Sequence, residues 1–194
     1  MMNRANEPKN PVALRILTAA EVLMAKDGVQ NLSTHKIAKA AGMSVGTIYL
    51  HFKDKEDLLD QLVYFLFDRF HQHIVQFDDP ALPLFERYRK LWWGYWQFLQ
   101  ENPDMVMSIH QYESLPRFHE MLKCCFNEKN LVFNQLFQQA TEQKLIADLP
   151  NAVLFSLTIK VALNLAYLQI IEQMHYADAI LEETILRTWK AISI

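Results

Sequence analysis

The amino-acid sequence predicts an all-α protein in which an N-terminal three-helix domain precedes a larger C-terminal helical domain. Only four of the 194 residues are glycine, so the chain has few of the tight turns that β-hairpins need. Apolar residues recur at helical spacing, and no long stretch alternates apolar and polar residues as a half-buried strand does. Hydrophobic residues make up 51% of the chain, which excludes a disordered protein.

The first helix is predicted over residues 12–27. Pro11 suits the start of a helix, and Gly28 suits the position just past its end. Ile16 and Ala20 lie on one face at helical spacing. We therefore expect an amphipathic helix that packs against its neighbours through this face.

Two short helices joined by a tight turn follow. The second helix begins at Ser33 or Thr34, either of which can cap it, and Gly42 interrupts it. Ser44 can cap a third helix over residues 45–52. Two short helices joined by a glycine-containing turn are typical of a helix-turn-helix, whose second helix enters the major groove of DNA.

The rest of the sequence predicts further helices. A fourth helix starts at the N-cap Asp54, with Asp57 in a capping-box-like position, and ends before a break at residues 78–80. We place a DNA-binding domain in residues 1–55 and a second helical domain in residues 56–194, bridged by the fourth helix. The later helices are expected over residues 82–101, 104–110, 117–143, 152–174 and 178–192.

Charge is distributed unevenly between these two parts. Residues 1–55 contain eight Lys and Arg against four Asp and Glu, a net charge of +4. The remaining residues contain 11 Lys and Arg against 18 Asp and Glu, a net charge of −7. A basic N-terminal part on an acidic body is expected when only the N-terminal part meets a polyanion, although a small region can also be basic by chance.

The helix-turn-helix region carries a longer pattern. Residues 16–59 read ILTAAEVLMAKDGVQNLSTHKIAKAAGMSVGTIYLHFKDKEDLL. Its distinctive features are Gly28, Leu32-Ser33-Thr34, Ile37-Ala38, Ala41-Gly42, Ser44, Gly46-Thr47-Ile48-Tyr49, Phe52 and Lys55-Glu56. In spacing and residue type this segment resembles the DNA-binding region of the TetR/AcrR family of transcriptional regulators. The resemblance implies an all-helical dimer with a variable C-terminal domain that binds an inducer and its own copy.

The resemblance and the side-chain chemistry together identify eleven candidate DNA-binding residues. Tyr49 and Lys55 resemble the family's tyrosine and lysine that contact backbone phosphate, and His35 stands where some members have a base-contacting arginine. Val45 and the methyl group of Thr47 can contact a thymine methyl group. The alternative for each residue is an ordinary surface or packing role. The candidates are Thr34, His35, Lys36, Ser44, Val45, Gly46, Thr47, Tyr49, Leu50, His51 and Lys55.

The C-terminal region is rich in aromatic residues and methionine. Trp92 and Trp93 are adjacent and cannot both point to the same side of a helix. The family resemblance implies an apolar ligand pocket, and the alternative for any single aromatic residue is ordinary core. The pocket candidates are Trp92, Trp93, Trp96, Met105, Tyr112, Phe118, Met121, Phe133 and Phe137.

Residues 152–167 are nearly free of polar side chains. In the resembled family the last two long helices pair with their symmetry mates in a four-helix bundle. The alternative is burial within one chain. The candidates for an isologous dimer surface are Leu157, Val161, Leu165, Leu168, Ile185, Leu186 and Trp189.

Other functional classes have weak support. His71 and His73 point apart on a helix and have no clear third partner, so we expect no metal site and no cofactor. The adjacent Cys124 and Cys125 form no disulfide framework and are expected to be a buried or partly buried structural pair. We find no phosphate-binding loop, no nucleophile elbow, no signal peptide and no apolar run near the length of a membrane span. A non-enzymatic, cytoplasmic protein is expected.

The sequence therefore predicts a homodimeric repressor that binds a near-palindromic double-stranded DNA operator and is released by a small hydrophobic ligand. Two alternatives belong to other classes. The first is a helical enzyme or small-molecule carrier that has lost DNA binding, and the second is a protein-interaction module that docks partners on its aromatic body. Salt-sensitive DNA affinity would distinguish a regulator from both.

Overall fold

The computed structural model describes residues 10–194, and these residues form helices and no named strand. The predicted all-α class is therefore confirmed. Arg4, Glu7 and Lys9, which contribute to the predicted N-terminal charge, lie outside the described residues. The helices are α1 (Pro11–Asp27), α2 (Thr34–Ala41), α3 (Val45–His51), α4 (Lys55–Ile74), α5 (Leu84–Glu101), α6 (Pro103–Glu113), α7 (Pro116–Asn127), α8 (Val132–Glu142), α9 (Asn151–Leu157), α10 (Lys160–Ile171) and α11 (Asp178–Ile192).

The chain divides into two compact units. The first unit contains residues 10–70 and 107–123 of the described chain. In it α1 contacts both α2 and α3, and α2 contacts α3. Ile16, Ile37 and Ile48, one from each helix, are fully buried, so their apolar burial holds the three helices together.

The second unit contains residues 71–106 and 124–194. Its central helix is α5, which contacts α8, α10 and α11. Arg87 of α5 is almost completely buried and donates to both carboxylate oxygens of Asp78, at 2.7 and 3.0 Å, and to Gln139 at 2.8 Å. This bidentate pair satisfies a charge that would otherwise be costly to bury.

A glycine allows a close approach within the second unit. A Cβ atom added at Gly94 of α5 would overlap Phe77 Cγ and lie 2.9 Å from Phe77 Cβ. The ring of His73 stacks on Phe77 with centroids 5.1 Å apart, and its Nε2 donates to Gly94 O at 3.0 Å. Position 94 therefore requires glycine because the Phe77 side chain packs against the helix backbone there, and not because the backbone turns.

Two predicted helices are wrong in their length. The predicted helix over residues 117–143 is two helices, because Asn134 Nδ2 donates to the Cys125 and Glu128 carbonyls and thereby terminates α7. The predicted helix over residues 152–174 is interrupted after Leu157. There Thr158 Oγ1 donates to Leu154 O at 2.6 Å, a back-bond that bends helices.

One stretch of the described chain, Asn151–Ile171, is long and apolar enough to cross a membrane by length and composition alone. It comprises α9 and α10, and only 33% of its most apolar 18 residues are buried within the chain. The expectation that no apolar run reaches this length is therefore wrong. Its exposed apolar side chains include Val153, Leu157, Leu168 and Ile171.

We predict that Gly94→Ala destabilises the protein. Alanine in a helix interior normally gains about 0.5–1 kcal/mol over glycine, but here its Cβ overlaps the Phe77 ring, and overpacking costs about 1–3 kcal/mol. Urea unfolding should show a lower midpoint for Gly94→Ala than for the unmodified chain. The matched control repeats the substitution in a Phe77→Ala background, where it should be neutral or stabilising. A higher midpoint for Gly94→Ala with Phe77 in place would refute the clash.

Candidate nucleic-acid interface

The turn between α2 and α3 sets the position of α3. Gly42 follows α2 in the left-handed conformation, with φ 65° and ψ 40°. Its N–H donates to Lys39 O at 3.2 Å, and the Met43 N–H donates to Ala38 O at 2.9 Å, which together form a Schellman motif. Arg15 Nη2 of α1 donates to Ala41 O at 2.9 Å and so ties this turn to the first helix.

Helix α3 is exposed along one side, where Gly46, Tyr49 and Leu50 face solvent. Ile48 is its one buried residue and anchors it to the core of the first unit. Leu50 is 82% exposed and Tyr49 is 53% exposed, whereas apolar side chains of this size are usually buried. Of the other predicted residues on this helix and its cap, Ser44 and Gly46 are exposed, and Val45, Thr47 and His51 are half-buried.

The hydroxyl groups at the start of α3 bond to each other. Ser44 Oγ accepts from the Thr47 N–H at 3.1 Å, which is the predicted N-cap. The Ser44 and Thr47 hydroxyl oxygens also share a hydrogen bond of 2.9 Å. Both polar side chains are thus engaged in forming the helix start.

Ser33 rather than Thr34 caps α2, because its Oγ accepts from the Lys36 N–H at 3.2 Å. Thr34 is therefore the first residue of the helix and is half-buried. His35 and Lys36 are exposed, and Lys36 Nζ lies 3.4 Å from Asp27 Oδ2 in a solvent-accessible ion pair. Such exposed pairs contribute little to stability, so Lys36 can exchange this partner for another anion at small cost.

The start of α4 lies directly after α3. The Asp57 N–H donates to Asp54 Oδ1 at 2.8 Å, and Asp57 Oδ2 accepts from the Lys53 N–H at 2.9 Å. This reciprocal pair is close to the predicted capping box, with the second bond one residue earlier than in the usual motif. It fixes the short connection that holds exposed Lys53 and half-buried Lys55 beside α3.

The segment from residue 33 to residue 55 is basic. It contains four lysines, Lys36, Lys39, Lys53 and Lys55, against the single acid Asp54. Lys36, Lys39 and Lys53 are exposed. A short, exposed helix flanked by lysines has the form of a surface that docks into a groove between phosphate backbones.

Sequence reasoning missed a residue that supports this surface from α6. Gln111 Nε2 donates to Met24 O at 3.0 Å, and Gln111 Oε1 accepts from the Val29 N–H in a short contact. Its side-chain amide thus satisfies backbone groups at the end of α1 and in the turn that leads to α2. A single glutamine within a helix carries no sequence signal for this role.

A partly buried charge pair lies elsewhere in the first unit. Arg69 Nη1 donates to Glu21 Oε2 at 2.7 Å and its guanidinium stacks over Phe65, with 5.0 Å to the ring centroid. Tyr112 is fully buried, and its hydroxyl has no hydrogen-bond partner among the described residues. Burial raises the pKa of Tyr112 well above its usual range, and the charge of Glu21 raises it further. Tyr112 is therefore neutral at physiological pH.

The nine predicted pocket residues divide between the two units. Trp92 is fully buried and stacks on Trp96 with centroids 5.8 Å apart, and its Nε1 has no hydrogen-bond partner among the described residues. Trp93 points elsewhere, and its Nε1 donates to Glu182 Oε1 at 2.9 Å. In the second unit lie Trp92, Trp93, Trp96, Met105, Phe133 and Phe137, and in the first lie Tyr112, Phe118 and Met121.

The predicted dimer residues differ in exposure. Leu157 and Leu168 are exposed, while Val161, Leu165, Leu186 and Trp189 are half-buried and Ile185 is buried within its own unit. Sequence reasoning missed further exposed apolar side chains on the same helices and their connections. These are Val153, Ile171, Met174 and Ile180.

The remaining reactive groups form no cluster. Within residues 10–194 no group of three or more His, Cys, Asp or Glu side chains is arranged to hold a metal ion. Cys124 is exposed and Cys125 is half-buried, so the expected burial applies to one member of the pair. Burial and the neighbouring Cys124 and Glu128 raise the pKa of the Cys125 thiol to about 12, which keeps it protonated and unreactive.

The fold and this surface define the class as a helix-turn-helix DNA-binding protein. Residues 16–62 match the family described as bacterial regulatory proteins, tetR family, and residues 83–193 match the tetracyclin repressor-like C-terminal domain. The chain belongs to the TetR family of DNA-binding transcriptional regulators. The resemblance seen in the sequence is thereby confirmed.

Similar proteins match this chain along nearly its whole length. An uncharacterized HTH-type transcriptional regulator of Haemophilus influenzae is 39% identical over 186 residues, covering 96% of this chain and 98% of the relative. The crystal structure of a TetR-family regulator from Haemophilus influenzae has a TM-score of 0.86 at 39% identity, covering 94% and 97% of the two chains. A putative TetR-family regulator of Vibrio parahaemolyticus has a TM-score of 0.79 at 31% identity, covering 97% and 100%.

A more distant structure shares the fold alone. The transcriptional regulator FadR of Bacillus subtilis, in complex with stearoyl-CoA, has a TM-score of 0.73 at 18% identity. It covers 91% of this chain, and 96% of its own chain is covered. At this identity the likeness shows a shared fold and nothing about what this chain binds.

Proposed function

We propose that this TetR-family regulator is a homodimeric repressor that a small hydrophobic ligand releases from a near-palindromic operator. The observation that carries the DNA-binding part is α3, which keeps only Ile48 buried and leaves Leu50 82% exposed. Residues 1–55 form the DNA-binding domain in this proposal, and residues 56–194 form the ligand-binding and dimerisation domain. The protein is a cytoplasmic binding protein rather than an enzyme.

Affinity and sequence preference come from different side chains. Lys36, Lys55, Thr34 and the hydroxyl of Tyr49 contact backbone phosphates, and such contacts position a protein without reading sequence. The side chains proposed to approach base edges are those of His35, Ser44, Val45, Thr47, Leu50 and His51, together with the backbone at Gly46. The assignment is supported by the members of this set that are exposed, since the atoms that meet DNA have to be accessible in the free protein. These are His35, Lys36, Ser44, Gly46, Tyr49 and Leu50.

A dimer is proposed because one helix-turn-helix reads too few base pairs to select a site in a genome. Two copies related by a two-fold axis would place their α3 helices about 34–36 Å apart, or a multiple of this, on one face of DNA. The support is the exposed apolar surface of α9, α10 and α11, including Leu157, Leu168 and Ile171. These helices are neighbours, since α9 contacts both α10 and α11, and exposed apolar surface shared by neighbouring helices is typical of a protein interface. The same burial would account for the apolar stretch Asn151–Ile171 without a membrane.

A hydrophobic ligand is proposed for the aromatic body. Within the second unit, the buried Trp92 N–H lacks a partner among the described residues, and a buried donor without a partner costs about 1–3 kcal/mol. A ligand whose polar end accepts from this N–H would remove that cost. The FadR neighbour was solved in complex with stearoyl-CoA, whose long acyl chain is in keeping with a ligand that has an elongated apolar part. Ligand binding would shift the population toward a spacing or tilt of the DNA-binding domains that no longer fits the operator.

We predict that selection from genomic fragments enriches one near-palindrome, bound with a steep dependence on salt. Lys55→Ala should reduce the slope of log affinity against log salt by about one, because one phosphate contact is lost. Tyr49→Phe should weaken binding without changing this slope, because a hydroxyl carries no charge. The exposed Lys129→Ala of the second unit is the matched control and should change neither. Failure to enrich any site, or equal slopes for Lys55→Ala and Lys129→Ala, would contradict the assignment.

We predict that Leu168→Arg converts the dimer to a monomer. Leu168 is 40% exposed on α10, and arginine there would bury an unpaired charge in the proposed interface. Sedimentation velocity should give two chains for the unmodified protein and one for this variant. Leu145→Arg, at a leucine with a similar 45% exposure outside the proposed interface, should stay dimeric. A dimeric Leu168→Arg would show that the copies meet elsewhere.

We predict that operator and ligand weaken each other's binding by the same factor. A thermal-unfolding screen of elongated hydrophobic compounds should return one that raises Tm and weakens operator binding. Trp92→Phe, which removes the buried N–H together with part of the indole ring, should lower the affinity for that compound. It should leave ligand-free operator binding unchanged, because Trp92 lies in the second unit and not on the DNA-binding surface. Calorimetry that finds equal compound affinity with and without operator would rule out release by that compound, since linkage requires reciprocity.

A further inference from the structure

The face of α3 that lies opposite its anchor is apolar. Each residue of an α-helix turns by roughly 100°, so Gly46 and Leu50, two residues on either side of Ile48, lie roughly 200° from it. Ile48 points into the core, and these two residues therefore point outward, away from the first unit. The outward face consists of a residue without a side chain and a leucine that is 82% exposed.

The helix also lacks the side chains that usually read bases through hydrogen bonds. Its sequence, VGTIYLH, contains no Arg, Lys, Asn, Gln, Asp or Glu. Bidentate recognition of guanine needs Arg or Lys, and that of adenine needs Asn or Gln. The Thr47 hydroxyl is already bonded to Ser44 Oγ at 2.9 Å. Tyr49 and His51 stand to either side of the outward direction rather than along it.

The lysines around the exposed apolar face indicate which kind of partner binds it. Lys36, Lys39, Lys53 and Lys55 flank α3, with Asp54 as the one acid between residues 33 and 55. An apolar protein partner would have to bury or displace these lysines, whereas the phosphates of DNA complement them. The floor of the major groove between those phosphates offers one apolar group, the C5-methyl of thymine.

We propose that Leu50 reads the operator through thymine methyl groups, and that this contact dominates sequence preference at the centre of each half-site. Gly46 permits the close approach that a leucine contact requires, because a side chain at this position would stand between helix and groove. By the same rotation Thr47 lies roughly 80° from the outward direction, so its methyl group borders this face, whereas half-buried Val45 lies on the side nearer Ile48. The inference rests on the proposed operator binding and specifies which chemical group is recognised.

The test measures binding of the selected operator by fluorescence anisotropy at fixed salt, with each thymine of a half-site replaced in turn. Uracil removes only the methyl group, cytosine paired with guanine changes the hydrogen-bonding pattern as well, and 5-methylcytosine restores the methyl on that changed pattern. At the position contacted by Leu50, thymine and 5-methylcytosine should bind alike. Uracil and cytosine should each bind about fourfold more weakly, the effect of about one buried methyl group.

Leu50→Ala should remove the difference between thymine and uracil at that position. The matched control, Leu14→Ala, alters a leucine that is 41% exposed on α1 of the same unit and should keep the difference. The proposal would be overturned if the affinity depended on the base pair and not on the methyl group. In that case thymine and uracil would give the same affinity, and so would cytosine and 5-methylcytosine. A methyl effect that persists in Leu50→Ala, or a selected half-site without thymine, would also overturn it.

Failure of this inference is distinguishable from failure of the proposed function. If the unmodified thymine-containing site is bound with a steep salt slope but no thymine shows a methyl effect, operator binding stands and the reading by Leu50 is wrong. If no site is enriched and binding is weak and indifferent to Lys55→Ala, operator binding itself fails, and the methyl proposal falls with it.

Discussion

The left-handed backbone at Gly42 is the constraint on which the proposed DNA-reading surface depends. A side chain in this conformation costs about 1–2 kcal/mol, because its Cβ crowds the following carbonyl oxygen. Gly42 avoids this cost and closes α2 with two backbone hydrogen bonds, and Ser44 begins α3 two residues later. Arg15 holds the same turn by bonding to Ala41 O. The direction of α3, and with it the exposure of Leu50, follows from this short connection.

Two kinds of recognition are separated on this surface. The lysines that flank α3 are suited to phosphates, which every DNA sequence presents. The outward face of α3 is suited to methyl groups, which only some sequences present. In this proposal the charged contacts set how tightly and how salt-sensitively the protein binds. The apolar contacts set where it binds, and a change in one set need not alter the other.

Much of the fold is predictable from the sequence, because local signals set it. Ser33, Gly42 and Ser44 act on backbone groups within a few residues, so α2 and α3 begin and end close to where the sequence places them. The break within residues 117–143 was not predictable, because Asn134 reaches back to carbonyls of the preceding helix. Trp92 is fully buried, whereas its neighbour Trp93 is half-buried and donates to Glu182. This difference depends on which side of α5 meets the other helices, and the sequence alone does not give it.

The predicted DNA-contacting residues lie on α2, on α3 and at the start of α4. They could be predicted because they belong to one short, continuous sequence pattern of the family. The supporting glutamine could not be found this way. Gln111 stands 82 residues after Val29, yet its amide completes the turn that leads into α2. The N-terminal helices therefore depend on a side chain from α6 to complete their hydrogen bonds. A chimaeric regulator that takes only residues 1–70 from this protein would leave Met24 and Val29 facing a foreign side chain, so the transplanted part should also include residues 107–123.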